Sequence, residues 1–218
     1  MTLVEAVVVI AVLAVFVAML LPAIQHNHRY PASRINCVNS LKEIGLAYRV
    51  WAGDNNDKFP MEISVTNGGT MELAATGNVV ATFQIMSNEL STPNLLYCTS
   101  DKDRTCATNF TTDFSAKHIS YFVGLDTANT NQQIFLSGDD NVAIEGVRAK
   151  SGLLGVSTNA NTAWTLERHI SYKKHFWTPI HGMGNIGLVE GSVQQDTSIE
   201  LQRAFQQTGL ATNRLAIP

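Results

Sequence analysis

An apolar run opens the chain, reaching from Met1 to Ile24 with one formal charge inside it, Glu5. About 19 apolar residues at about 1.5 Å each make a helix of about 28 Å, the thickness of a bilayer's hydrocarbon core. Further on the apolar positions change spacing: Ile35, Val38, Leu41, Ile44, Tyr48 and Trp51 recur three or four apart, while Arg34, Lys42, Glu43 and Arg49 fall off that stripe. The pattern predicts an amphipathic helix continuing the first, about 50 residues and about 75 Å in all. Pro22 removes one backbone donor and should loosen the rod, with a second irregularity at Tyr30-Pro31. Gly53 and Asp54-Asn55-Asn56-Asp57 supply the stop. Tyr48 and Trp51 read as core residues of the half-buried face.

From residue 58 onward the pattern turns to short strands and polar loops. Ile119–Leu125, Gln133–Ser137 and Asn185–Glu190 are rich in β-branched or aromatic residues bounded by Gly, Asn and Asp, which predicts an antiparallel sheet. Glu190-Gly191 ahead of Ser192-Val193-Gln194 reads as a tight hairpin turn. Thr197-Ser198-Ile199-Glu200 has capping-box spacing and opens a short helix, placed near 198–208 and closed by Gly209. The Thr- and Asn-rich stretches 105–115 and 157–165 read as surface loops. The organisation is therefore an apolar helix half at 1–24, an amphipathic half at 25–53, and a β-rich head at 54–218.

Composition narrows the class. With 218 residues, 45% hydrophobic and 15% charged, the chain has room for one anchor helix and one globular domain. A net charge of −3, without a basic block, provides no electrostatic footprint for nucleic acid. A secretory signal peptide would need a basic n-region and a small-residue cleavage site, but no Lys or Arg precedes Arg29. Numbering that begins at the apolar segment leads to the expectation that a short basic leader has been removed.

Thr2-Leu3-Val4-Glu5 and the apolar run through Pro22 resemble the processed N-terminus of type IV pilins and type II secretion pseudopilins. Met1 stands where that family usually has Phe. The resemblance implies that a prepilin peptidase cuts before Met1 and methylates its amine, and that Glu5 pairs with the terminal amine of a neighbouring subunit. The physical chemistry agrees, because a carboxylate in apolar surroundings is costly until a counter-charge meets it. A buried pair often breaks even, so Glu5 is assigned to register, and apolar helix packing supplies most of the affinity.

More of the chain resembles a large pilin-like family of Planctomycetes and Verrucomicrobia with a prepilin-type N-terminus and a C-terminal His, nine residues, Asp-Gly motif. Cys37-Val38-Asn39-Ser40-Leu41-Lys42-Glu43-Ile44-Gly45-Leu46, Asp54–Pro60, Leu136–Asn141 and Thr212–Pro218 carry that likeness. The motif's counterpart here is His181 with Glu190-Gly191, one residue shorter and with Glu in place of Asp. A contact between His181 and Glu190 that fixes a hairpin at the sheet edge is preferred to catalysis.

The search for chemistry finds no G-x-S-x-G, H-E-x-x-H, phosphate-binding Gly loop or C-x-x-C. His169, His175 and His181, six apart, would share one face of an extended strand and so suit a metal. Pro179 and the Gly-rich tract argue against such a strand, which favours structural or surface histidines. Asp139, Asp140 and Asn141 offer oxygen ligands for calcium, which some pseudopilins bind in C-terminal loops, and equally offer ordinary turn chemistry. Of three cysteines, Cys98 and Cys106 would close a short local loop, whereas Cys37 and Cys98 would tie the long helix to the head. The local pair is slightly preferred.

These readings converge on an α+β, type IV pilin-like fold, a long N-terminal helix packed on an antiparallel sheet. They imply a non-enzymatic subunit stored in the inner membrane and polymerised into a helical extracellular filament through Met1, Glu5 and Pro22. Its expected partners are further copies of itself, membrane lipid before assembly, the prepilin peptidase and the inner-membrane assembly machinery, with no cofactor required. Two alternatives stand beside it: a type II secretion pseudopilin and a membrane-anchored binding domain.

Overall fold

The computed structural model describes the backbone of residues 3–24, 29–128, 131–172 and 179–218, and the side chains of these apart from 6, 18–33, 170–172 and 179–181. Two compact units divide between Ala32 and Ser33. The first holds α1, Leu3–Ile24, a helix of 22 residues. Its backbone rises about 33 Å. Among the described residues no helix is long and apolar enough to cross a membrane. Pro22 lies inside the helical backbone. The expected continuity through 25–28 lies outside the described residues.

The second unit begins within α2, Arg29–Asp54. Its buried face is Cys37, Leu41, Ile44, Ala47, Tyr48 and Trp51, a 4-3-3-1-3 spacing that follows the helical period. Ile35, assigned to the stripe from its spacing, is 59% exposed, as are large parts of Leu46 and Val50. The helix ends where Asn56 and Asp57 take positive φ angles of 58° and 57°, a left-handed pair that Asn and Asp tolerate. Asn55 Nδ2 donates to the carbonyl of Trp51 at 2.7 Å, satisfying a terminal acceptor.

The stretch after residue 58, expected to hold strands and loops, is helical as far as residue 96. Single 3-10 turns at Pro60–Glu62 and Val65–Asn67 precede α3, Met71–Ala75, α4, Val79–Ile85, and α5, Ser87–Leu90, and a further 3-10 turn, Pro93–Leu96, ends the series. These elements are too short to show an amphipathic period. They are recognisable only by what they bury: Ala74, Val79, Phe83, Met86, Leu90 and Leu96 join the α2 face in one core, with Tyr48 edge-on to Phe59 at 5.9 Å.

Among the described residues the head carries ten strands in chain order: β1, Tyr121–Gly124; β2, Phe135–Asp139; β3, Val142–Ile144; β4, Val147–Arg148; β5, Gly152–Ser157; β6, Thr162–Trp164; β7, His169–Tyr172; β8, Pro179–Leu188; β9, Val193–Thr197; and, after α6, Ser198–Gln207, β10, Thr212–Ile217. The main sheet is antiparallel, ordered β5-β10-β1-β2-β8-β7, with β9 also on β8. Ile186 faces both Gly138 and Gln194, and Met183 faces both His169 and Thr197, so β2 and β7 follow one another along one edge of β8 while β9 takes the other. A smaller sheet runs β4-β3-β6.

Both faces of the main sheet are covered. Tyr121, Val123, Leu136 and Ala216 share the core with α2, and Phe122, Phe135, Leu215 and Ile217 share a second core with Leu201 and Phe205 of α6. The molecule is therefore α+β, with mixed helices and an antiparallel sheet. Pro179 opens β8, a position that needs no donor from it, and His169 and His181 lie on separate antiparallel strands, so no single strand carries both. Two expectations change here. The Gly-rich tract does not break a strand, since Gly182, Gly184 and Gly187 lie inside β8. The 157–165 stretch is not all loop, because β6 buries Trp164 against Gly184, where a Cβ would lie 2.5 Å from the indole. The β8–β9 turn has Gly191 at φ 96°, and Arg49 of α2 donates to the Val189 carbonyl at 3.0 Å there.

Candidate functional site

The charged residues of the head converge at one buried place. Arg168, in the segment entering β7, donates through Nη2 to Asp101 Oδ2 at 2.5 Å and to Asp140 Oδ1, and through Nη1 to the Ser120 carbonyl. Arg104 donates to the other Asp140 oxygen, to the Ala116 carbonyl and to the Pro218 carbonyl at 3.3 Å. Asp139 Oδ2 accepts the backbone N–H and Nδ2 of Asn185 at 2.8 and 2.7 Å. Asp101, Asp139, Asp140 and Arg168 are all at most 5% exposed, so carboxylates that would be prohibitive alone are held by guanidiniums and amides. Burial raises the Asp140 carboxyl above its ordinary range, and Arg168 and then Arg104 oppose the rise.

Beside this cluster lies the covalent link. Cys37 of α2 bonds Cys98, just past the 3-10 turn Pro93–Leu96, with Cα atoms 5.6 Å apart and 61 residues of sequence separation. The preferred local pair of Cys98 and Cys106 is thus corrected to its alternative. The reason is burial: Cys98 is 0% and Cys37 1% exposed, and the Cys98 N–H donates inward to Ser120 Oγ at 3.1 Å. Cys106 is an exposed free thiol near Asn94 Oδ1 at 2.5 Å. His169, the first residue of β7, is 3% exposed; its Nε2 stands 3.7 Å from Cys98 Sγ and 3.6 Å from Asp139 Oδ2. Burial lowers the imidazole's pKa, with the Asp139 carboxylate pulling the other way.

The other expected sites are distributed differently. Asp139, Asp140 and Asn141, read as calcium ligands or as turn chemistry, are buried: guanidinium groups donate to both Asp140 oxygens, and Asn141 Nδ2 donates to the Thr165 and Met183 carbonyls at 3.2 and 3.3 Å. His181 and Glu190 do not meet. His181 pairs by backbone with Ser171 near the start of β8, whereas Glu190 lies past its other end, accepting from Ser192 Oγ at 2.7 Å. Strand β8 runs on from His181 to Leu188, about 23 Å of extended chain, before the turn that holds Glu190. His175 and Met1 lie outside the described residues. Glu5 is exposed on the first turns of α1.

Asp101, Arg104, Arg168 and the tie of Asp139 to Asn185 escaped the sequence reading. Their partners lie 28 to 67 residues apart for Arg168 alone, and no local spacing announces such pairs. No protein-family model matches the chain, and no curated protein or solved structure is significantly similar to it.

Proposed function

We propose that this chain is a filament subunit that polymerises through its N-terminal helix, with a type IV pilin-like fold. The observation that carries the reading is α1. Every side chain described in it is exposed, and from Leu3 to Val17 those side chains are apolar apart from the single carboxylate of Glu5. Water is a poor solvent for such a surface, at roughly 25 cal/mol per Å² of apolar area. Lipid covers it first and a bundle of other copies' helices afterwards, so assembly exchanges one apolar surrounding for another. What distinguishes the second state is packing and charge. In it, Glu5 neutralises the methylated Met1 amine of an adjacent copy and sets the stagger between helices.

The head supports the same reading. The buried face of α2 shares one core with the sheet, and the disulfide joins that helix to the helical segment before β1. The charged cluster is buried, hydrogen-bonded and built of chain-crossing contacts, which suits a shell that must stay rigid rather than a reaction centre. Storage in the inner membrane and passage to the cell surface, by way of a prepilin peptidase and the assembly machinery, follow from the same reading.

Electron microscopy of sheared surface material from cells producing Glu5→Ala tests it. Filaments present with the parent chain should be lost, while circular dichroism of the detergent-extracted variant shows a folded head. Unchanged filaments with Glu5→Ala would overturn the reading. A parent chain that stays in the membrane fraction and forms no filaments would favour a tethered domain.

A further inference from the structure

Among the described residues, Cys37 Sγ, Cys98 Sγ and a ring nitrogen of His169 all lie within 4.8 Å of one another, and all three residues are buried. We propose that the dithiol form of this chain binds a thiophilic divalent cation, Zn²⁺ above all, through Cys37, Cys98 and His169, and that closing the disulfide expels it. This site stands apart from the filament reading and does not depend on it.

Geometry and chemistry carry the assignment. Zinc binds thiolate at about 2.3 Å and imidazole at about 2.0–2.1 Å, so tetrahedral placement sets sulfur and nitrogen about 3.6 Å apart. Cys98 Sγ and His169 Nε2 are 3.7 Å apart. The same Nε2 is 3.6 Å from Asp139 Oδ2, which puts a carboxylate within reach of the fourth position. The contact to Asp139 Oδ2 is too long for a hydrogen bond, since N–H···O bonds run about 2.7–3.2 Å, whereas the contact to Cys98 Sγ is a nitrogen–sulfur hydrogen-bond distance that equally suits two ligands of one ion. A buried imidazole is thus held at ligand spacing from a sulfur and an oxygen. Two thiolates and an imidazole form a set that selects zinc over calcium or magnesium.

The step balances simply. A dithiol reductant delivers two electrons and two protons to the Cys37–Cys98 bond and leaves as its own disulfide. The two resulting thiols release their protons to water as the ion binds, and the sulfurs separate to the spacing the ion needs. Thiol–disulfide exchange with an oxidised dithiol reverses this: the oxidised dithiol accepts the two electrons and becomes a dithiol by taking protons from water, the Cys37–Cys98 bond closes, and the ion leaves because both sulfurs are consumed in the bond. Metal and disulfide are therefore mutually exclusive ways of tying α2 to the segment before β1. The first suits a reducing compartment and the second an oxidising one.

The test uses the full chain in detergent with Cys106→Ser, so that no other thiol contributes. After reduction by a dithiol and anaerobic removal of the excess, Co²⁺ is titrated and followed by absorption. One Co²⁺ per chain is expected, with a thiolate-to-metal band in the ultraviolet and tetrahedral bands in the visible, both abolished by Zn²⁺. The oxidised chain and the Cys37→Ser, Cys98→Ser double variant should show neither. His169→Asn should weaken binding by more than about tenfold, at least the loss typical of removing a group that only supports a ligand. Should reduction unfold the metal-free chain, Zn²⁺ is expected to restore its near-ultraviolet dichroism. No thiolate band, no such restoration, or undiminished affinity in His169→Asn would each overturn the proposal.

Discussion

Arg168 holds the polar interior of the head together, donating to Asp101, Asp140 and the Ser120 carbonyl while only 5% exposed. Arg168→Met removes the charge at similar volume and leaves buried carboxylates under-compensated. A loss of about 3–5 kcal/mol is expected, the range for breaking a buried pair from one side, measured as a fall in the urea midpoint of the oxidised chain. Asp196 presents the opposite case. It is buried in β9, its Oδ2 finds no hydrogen-bond partner among the described residues, and burial, followed by the nearby Glu200 carboxylate, pushes it up to about 6. The folded chain therefore holds this proton in a range where the unfolded chain has already lost it. Its contribution to stability is fully present below about pH 4 and is lost as pH rises to about 6, because the native state binds more protons there. Asp196→Asn is expected to be more stable than the parent at pH 7, with the advantage vanishing at pH 4. Paired urea melts at the two pH values decide it. At this scale sequence reveals a residue when its partner is a near neighbour in the chain, as for Thr197 and Glu200, and conceals it when the partner is remote, as for Arg168.

At the scale of elements, the capping box of α6 was readable because both halves lie within one turn. The Thr197 N–H donates to Glu200 Oε2 at 2.7 Å, and the Glu200 N–H reaches Thr197 Oγ1 at 3.4 Å. Thr197→Ala should cost about 1 kcal/mol, and Glu200→Ala in the same background should add less than it costs alone, since the two bonds are reciprocal; a double-mutant cycle in urea measures the coupling. Helix α2 was readable in kind but not in its exact face, with Cys37 and Ala47 buried where Ile35 is exposed. Hydrophobicity alone does not say which apolar side chains a neighbour will reach. The strands were harder. Tyr121, Phe122 and Val123 are each at most 1% exposed because helices cover both sides of the sheet, which removes the alternation by which a half-exposed strand is recognised. Strand β10 went unrecognised for a related reason, its Leu215, Ala216 and Ile217 belonging to two different cores.

On the scale of the whole molecule, the covalent link between α2 and the segment before β1 spans 61 residues. A loop of that length restricts the unfolded chain strongly, and reduction without metal should destabilise the head by about 4 kcal/mol in the chain-entropy account. Urea unfolding of oxidised and reduced chain, both with a chelator present, measures the difference. Exposed α1 side chains set a second whole-molecule property, the need for apolar company; under the proposed filament reading, Glu5→Ala is expected to lose assembly while the urea midpoint of the head stays unchanged.

What sequence alone determined is what local period and local chemistry express: the apolar helix with its single carboxylate, the helix that follows it, the β8–β9 turn and the capped α6. These depend on residues a few positions apart, where backbone geometry fixes which side chains meet. Tertiary structure decided the rest: the choice of Cys37 over Cys106, the turning of Asp139 and Asp140 from a supposed cation site into partners of amide and guanidinium, and the separation of His181 from Glu190. Each depends on distances between segments far apart in the chain. Burial then sets the outcome, because a charge or thiol removed from water must take whichever partner the packed core brings within reach.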